Sequence, residues 1–117
     1  MHKSPLPSLK KNREFRAVFA KGRHAVCPLF SVHVLENGFG ANRLGIQAGK
    51  KVGGAVVRNR VRRLVKESYR LMAGELNISF DIVVAVRPSA GEFVYVSGFK
   101  GVDEHLRKLC QKIGILK

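Results

Sequence analysis

The segment from Lys50 to Arg70 limits what this chain can fold into more than any other part of the sequence. It carries eight basic residues and one acidic residue, yet its apolar residues recur at a helical period. At about 100° per residue, one quadrant of the helix collects Val57, Val61, Leu64, Val65 and Met72. A basic row with intervals of four follows another side and consists of Arg58, Arg62, Lys66 and Arg70. The pattern predicts an amphipathic helix that packs on a sheet and presents a cationic face.

The cationic face indicates a polyanionic partner. The chain has 22 Lys and Arg residues against 8 Asp and Glu residues, a formal net charge of +14, and self-repulsion of that size opposes compaction. Nucleic acid is the usual partner of such a domain. A membrane-surface helix would place bulky apolar residues opposite its charges, whereas this stripe is mostly β-branched and the chain has no Trp. A merely solvated face would normally interleave both signs of charge.

Two glycines, Gly53 and Gly54, follow Lys50 and Lys51 directly before the predicted helix. This turn is similar to a generic anion-binding turn at a helix N-terminus. It lacks the Gly-Lys-Ser/Thr that would make it a P-loop, so nucleotide hydrolysis is not indicated. The sequence also contains no Ser/His/Asp arrangement and no paired carboxylates at a useful spacing, so no catalytic residue is assigned.

The remaining pattern predicts a single small α+β domain over residues 1–117, with 1–8 as a mobile arm. Asn12 is the expected N-cap of a first helix, which Gly22 ends and whose apolar face carries Phe15, Val18 and Phe19. Alternating or continuous apolar runs predict strands at 29–35, 43–48 and 80–86. Residues 88–101 are expected to form an irregular connection with a short element at 93–96. A last helix is expected to open at Asp103 and Glu104 and to end at Gly114.

Location and redox state are predicted from three features that the sequence lacks. No apolar run approaches the roughly 18 residues that cross a bilayer, and the basic N-terminal residues lack the apolar stretch of a secretory signal. We therefore expect a soluble, cytoplasmic protein. Cys27 and Cys110 match no zinc or redox spacing and are expected to be reduced.

The basic segment also resembles a known family signature. The matching residues are Lys50-Lys51-Val52-Gly53, Ala55-Val56, Arg58-Asn59-Arg60 and Arg62-Arg63-Leu64, and they are similar to the signature of the bacterial ribonuclease P protein component. Leu9-Lys10-Lys11-Asn12, followed by Phe15, Val18 and Phe19, looks like the N-terminal helix of that family. The resemblance continues through residues 81–88 and the closing helix, so it covers nearly the whole chain.

The resemblance implies a fold and a function. The fold would have α-β-β-β-α-β-α order and a mixed sheet, with a left-handed β-α-β crossover around the basic helix. The protein would be the subunit of an endoribonuclease whose catalytic RNA removes the 5′ leader of precursor tRNA. It would bind the leader and stabilise the binding of substrate and Mg²⁺, which the RNA subunit and substrate mainly hold. Protein alone is not expected to cleave, and no organic cofactor, protein metal site, membrane or obligate protein partner is implied.

Site residues carry over by position. The resemblance and the basic pattern together assign RNA binding to Lys50, Lys51, Gly53, Arg58, Asn59, Arg60, Arg62, Arg63, Lys66 and Arg70. Phe15, Phe19 and His33 match positions of a cleft that holds the single-stranded leader. Two residues depart from the family pattern, because His33 stands where related proteins can carry Tyr and Gly54 stands where Asn is common.

Other interpretations of these residues remain open at this point. Phe15 and Phe19 by their spacing alone would be core residues, and His33 alone would be an ordinary surface histidine. A general RNA- or DNA-binding module explains the charge equally well but not the signature at 50–66. A self-sufficient nuclease is disfavoured, because the few carboxylates do not form a cluster in the sequence that would hold Mg²⁺.

Overall fold

The computed structural model describes residues 7–117, apart from the side chain of Tyr95. In the described residues, three helices and four strands follow one another in the α-β-β-β-α-β-α order that the resemblance implies, and two short 3-10 turns, Lys50–Val52 and Ala73–Glu75, flank the second helix. The elements are α1 (Asn12–Lys21), β1 (Arg23–Val26), β2 (Phe30–Glu36), β3 (Arg43–Ala48), α2 (Ala55–Met72), β4 (Phe80–Val86) and α3 (Ala90–Ile113). The predicted α+β class and element order are confirmed.

The four strands form one mixed sheet in the spatial order β1-β2-β4-β3. β2 pairs antiparallel with β1 and with β4, whereas β3 pairs parallel with β4. Because parallel neighbours need a crossover, α2 connects β3 to β4. The last strand in the sequence therefore lies inside the sheet and β3 lies at its edge. The left-handed crossover stays an expectation from the resemblance.

One face of the sheet forms the main core with α2 and α3. Val32, Val34, Ile82 and Val84 project from β2 and β4 into this core, and each is at most 4 % exposed. The apolar stripe predicted for the basic helix is confirmed, since all five of its residues are buried or partly buried in this core. The stripe also includes the buried Tyr69 and Ser68, and the Ser68 hydroxyl donates a hydrogen bond to Asp103 on α3 at 2.8 Å.

The opposite face of the sheet is covered by α1. Val18 packs against Val83 of β4 in a small second cluster, and both side chains are fully buried. Two carboxylates, Asp81 of β4 and Glu14 of α1, hold the guanidinium of Arg43 between them. Arg43 donates two hydrogen bonds of 2.7 Å to Asp81 and one of 2.9 Å to Glu14. This cluster fixes the N-terminal end of α1 onto the sheet.

The prediction that Asn12 caps α1 is wrong by one residue. The N-cap is Lys11, and α1 begins at Asn12. The Glu14 carboxylate accepts hydrogen bonds from the backbone N–H of Lys11 at 2.9 Å and of Lys10 at 3.0 Å. These two hydrogen bonds, with the charge of Arg43, lower the pKa of Glu14. Glu14 therefore caps the helix from inside its first turn.

The prediction of an irregular connection at 88–101 is wrong for most of its length. Residues 90–101 are helical except at Gly98, and α3 begins at Ala90 rather than at Asp103 and Glu104. Gly98, with φ of +57°, kinks the helix, while Gly114, with φ of +89°, ends it as predicted. Gly91 and Gly101 serve packing instead of interrupting the helix, because a Cβ at Gly91 would strike the carbonyl oxygen of Val52. Within residues 7–117, no helix combines the length and apolar character needed to span a membrane.

Candidate nucleic-acid interface

A groove lies between α1 and α2 along the outer edge of β3. It consists of two adjoining cavities of about 440 and 480 Å³, both of which are lined by Phe15, Ile46 and Arg62. Because these three residues come from α1, β3 and α2, the groove exists only once the parallel β3–α2–β4 unit has placed α2 beside the sheet edge. We call this feature the leader groove, by its position and by the cleft that the resemblance implies.

The floor of the leader groove is the unpaired edge of β3. At one end, residues 7–9 add to this edge, where Leu9 N donates to Leu44 O and Leu44 N donates to Pro7 O, both at 3.0 Å. Of the arm expected at residues 1–8, residues 1–6 lie outside the described residues, while Pro7 and Ser8 run along β3. At the other end, an Arg62 guanidinium nitrogen lies 3.5 Å from Ala48 O. Ile46 lies between these two ends and lines both cavities.

One wall of the leader groove is cationic. Arg62, Lys66 and Arg70 of α2 line it at intervals of four, as their helical spacing requires. Arg58 continues the same row towards the start of α2. Its Nε is buried and has no hydrogen-bond partner among the residues that the structure describes, and an unsatisfied buried donor is costly. An anion near the start of α2 would satisfy it.

The other wall is aromatic. The ring of Phe15 covers Gly45, where a Cβ would approach the ring to 2.7 Å. Phe19 follows one turn later on α1 with 37 % of its surface exposed, so it is not a core residue. Phe15 and Phe19 thus lie on one side of the leader groove and face the cations on the other.

His33 contacts Phe19 but lines neither of the two cavities. The ring centroids of His33 and Phe19 are 4.6 Å apart in an edge-to-face arrangement. Burial lowers the pKa of His33, and the nearby His24 lowers that pKa further. A 2.9 Å hydrogen bond joins its Nε2 to the Ser31 hydroxyl. The imidazole is therefore a neutral, oriented ring at neutral pH.

The other predicted binding residues lie outside the leader groove. Lys50, Lys51 and Gly53 form the turn before α2, and Asn59, Arg60 and Arg63 lie on the exposed side of α2. The structure thus divides the predicted set into a groove wall and an outer face. Sequence reasoning missed Ser8, Asn12, Arg16, Ile46 and Gln47, which also line the groove. Ile46 and Gln47 carried no signal beyond their place in a strand.

Of the two glycines before α2, Gly53 has a backbone conformation that favours glycine and Gly54 does not. Gly53 has a φ of +151°, and a Cβ added there would lie 2.9 Å from Val57, whereas Gly54 is the N-cap with an ordinary φ of −69° and open space around its Cβ position.

We expect Gly54→Asn to raise the free energy of unfolding by a few tenths of a kcal/mol, because Asn supplies the cap hydrogen bond that α2 lacks. The matched variant Gly53→Ala should lower it by about 1 kcal/mol or more. Urea denaturation measures both, and a loss of stability in Gly54→Asn would contradict the assignment of the cap.

The acidic residues do not suit a resident Mg²⁺. In the described part of the chain, no three His, Cys, Asp or Glu side chains converge on a common point. Glu14 and Asp81 are held by Arg43, and Glu75 and Asp103 are held by Arg107. The leader groove presents cationic donors, whereas Mg²⁺ requires oxygen ligands.

Comparison with known proteins gives a consistent result across sequence and structure. The model of the family described as Ribonuclease P matches residues 5–114. The ribonuclease P protein component of Alkaliphilus metalliredigens is 42 % identical over 108 residues, which cover 92 % of this chain and 94 % of that protein. The RNase P protein of Thermotoga maritima superposes with a TM-score of 0.78 at 32 % identity, covering 89 % of this chain and 96 % of the other. The Staphylococcus aureus RNase P protein superposes with a TM-score of 0.85 at 24 % identity, covering 97 % of this chain and all (100 %) of the other.

Proposed function

The chain belongs to the ribonuclease P protein family and is a subunit of that tRNA-processing endonuclease, and we propose that it binds the single-stranded 5′ leader of precursor tRNA in the leader groove. The catalytic RNA subunit performs the phosphodiester hydrolysis, in the cytoplasm. The protein binds the leader and positions the substrate. It supplies no catalytic side chain.

The observation that carries this proposal is the pairing of a cationic wall with an aromatic wall across one groove. Single-stranded nucleic acid binds where bases stack on aromatic rings and cations follow the phosphates. Phe15 and Phe19 supply the rings, and the α2 row of Arg62, Lys66 and Arg70 supplies the cations. This chemistry tolerates any sequence, since every base has a π-face. A processing enzyme that accepts many different leaders needs that tolerance.

The outer face of α2 and its preceding turn would contact the catalytic RNA. Asn59, Arg60, Arg63, Lys50 and Lys51 lie there, outside the groove. Arginine suits this role because its planar guanidinium donates two parallel hydrogen bonds to one phosphate. α2 would then lie between the two RNAs, with the leader on one side and the catalytic RNA on the other.

Mg²⁺ in this proposal belongs to the RNA subunit and the substrate. The protein acts on it indirectly, because cations that screen phosphate repulsion let the RNAs associate at a lower Mg²⁺ concentration. The excess of 22 basic over 8 acidic residues supports this role.

The proposed function is tested by cleavage of a precursor tRNA at several Mg²⁺ concentrations. The samples are this protein, a bacterial ribonuclease P RNA, and the two together. We expect no cleavage by the protein alone and cleavage by the mixture at Mg²⁺ concentrations where the RNA alone is inactive. An unrelated protein of equal charge is the control. Equal rescue by that control would favour a general RNA-binding module, and cleavage by nuclease-free protein alone would overturn the assignment of catalysis to RNA.

A further inference from the structure

A row of three rings leads from the leader groove to the opposite edge of the sheet. Phe19 lines the groove and contacts His33 at a centroid distance of 4.6 Å. His33 in turn stacks on His24 of β1, with centroids 5.5 Å apart and ring planes 23° from parallel. The two histidines are directly opposite each other in the β1–β2 pairing, so they lie on the same sheet face. His24 is exposed at the end of the row.

The described groups that contact His33 carry no negative charge that would repel a phosphate. Apart from His24, the groups that meet His33 are uncharged: Phe19 from α1, Val83 opposite it on β4, and Ser31 on its own strand. Glu36 of β2 lies on the other face by alternation, and the described carboxylates Glu14 and Asp81 are held by Arg43. Arg23, next to His24, turns to the other face and donates to Ile113 O at 2.6 Å.

We propose that Phe19, His33 and His24 continue the RNA-binding surface across the sheet, so that nucleotides of a longer leader stack beyond the leader groove and His24 binds a phosphate there. This inference rests on the proposed function, since the leader must first occupy the groove. His33 acts as a fixed, neutral stacking ring that Ser31 orients. His24 acts as the terminal ring and donates a ring N–H to the phosphate.

The test measures the affinity of the reconstituted enzyme for precursor tRNAs with leaders of increasing length. For wild type, we expect affinity to rise again after the groove is filled, by at least about 5-fold for one further stacked base. His24→Ala should abolish this second rise. His24→Phe should retain the stacking contribution, and His24→Lys should retain the contact with phosphate. Lys112→Ala removes a cation from α3, on the other side of the sheet, and should keep the full rise.

Equal gains from a long leader in wild type and in His24→Ala would overturn the inference.

The experiment also separates this inference from the proposed function. Phe19→Ala should weaken binding of every leader that enters the groove, including short ones. If Phe19→Ala weakens short leaders while His24→Ala leaves the second rise intact, the extension is wrong and the leader groove stands. If Phe19→Ala has no effect on any leader, the proposed function itself fails.

Discussion

Replacing Asp81 by alanine is expected to lower the free energy of unfolding by about 3 kcal/mol and the melting temperature by about 10 °C. Asp81 is 7 % exposed, and its carboxylate accepts two hydrogen bonds from Arg43 at 2.7 Å and one from Asn37 at 2.9 Å. The hydrogen bonding between Arg43 and Asp81 is the main cause that raises the pKa of Arg43. Removal of the carboxylate leaves a partly buried guanidinium with Glu14 alone and frees the end of α1. Urea and thermal denaturation measure the loss.

Glu75→Ala is the matched control for this prediction. Glu75 also forms an ion pair with an arginine, Arg107, at 3.1 Å, but its side chain is 57 % exposed. Exposed pairs contribute at most about 1 kcal/mol and frequently nothing measurable. Asp81→Asn should fall between the two, because it keeps one hydrogen-bond acceptor for Arg43 and loses the charge. Similar losses for Asp81→Ala and Glu75→Ala would mean that burial does not strengthen the Arg43 cluster.

The double variant Arg62→Ala, Lys66→Ala is expected to weaken leader binding by about 25-fold at roughly 0.1 M salt. Both side chains line the cationic wall of the leader groove. Each phosphate contact on a single strand contributes about 0.7 to the slope of log affinity against log salt, so the slope should fall by about 1.4. The measurement compares precursor tRNA with mature tRNA across a salt series, with the enzyme saturated in protein. Mature tRNA, which has no leader, should bind as it does to wild type.

Lys108→Ala, Lys112→Ala is the control for the double variant. It also removes two exposed cations spaced by four residues, but from α3 rather than α2. A protein that acts only as a polycation would lose the same affinity in both variants. The leader groove predicts a loss specific to α2 and to substrates that carry a leader.

Much of the fold was predictable because local pattern and tertiary structure agree. The stripe that begins at Val57 and Val61 has one period throughout, so burial of α2 followed from the sequence. The strands at 43–48 and 80–86 have the predicted bounds, and Gly114 ends the last helix in the left-handed conformation that glycine favours. In these segments one requirement, either burial of an apolar side chain or a left-handed backbone, determines the residue type at each position.

The errors arise where one residue type satisfies two requirements. Gly91 and Gly101 are residues typical of loops, yet Gly91 lets α3 approach the backbone of Val52, and Gly101 leaves room for the ring of Phe93 on the same helix. Asn12 is a favourable N-cap by type, but the Glu14 carboxylate already accepts the backbone N–H groups at that helix start. The capping preference of one residue type does not reveal that a neighbouring side chain makes the same hydrogen bond.

Charge and family signature predict the candidate binding residues on α2, but they do not predict the groove that several of them line. Phe15 and Arg62 are far apart in the sequence, and they meet only because Ile46 at the edge of β3 lies between them. The β3 edge forms the floor of the groove because of where its backbone lies in the sheet, and the pattern of side chains does not predict that position. The division of the basic residues into a groove wall and an outer face required the structure for the same reason.

The order of strands in the sheet has a consequence for synthesis of the chain. β4 is the last strand to be made, but it lies between β2 and β3 in the sheet. Its residue Ile82, for example, pairs with Val34 of β2 and Leu44 of β3, which precede it by many residues. Until residue 86 has left the ribosome, β3 has no partner strand and β2 has only β1. Loop closure across such separations slows folding, and a nascent chain that stalls within α2 exposes two open strand edges beside a strongly basic helix. Completion of β4 therefore pairs both of these open edges, and α3, which is made afterwards, completes the main core.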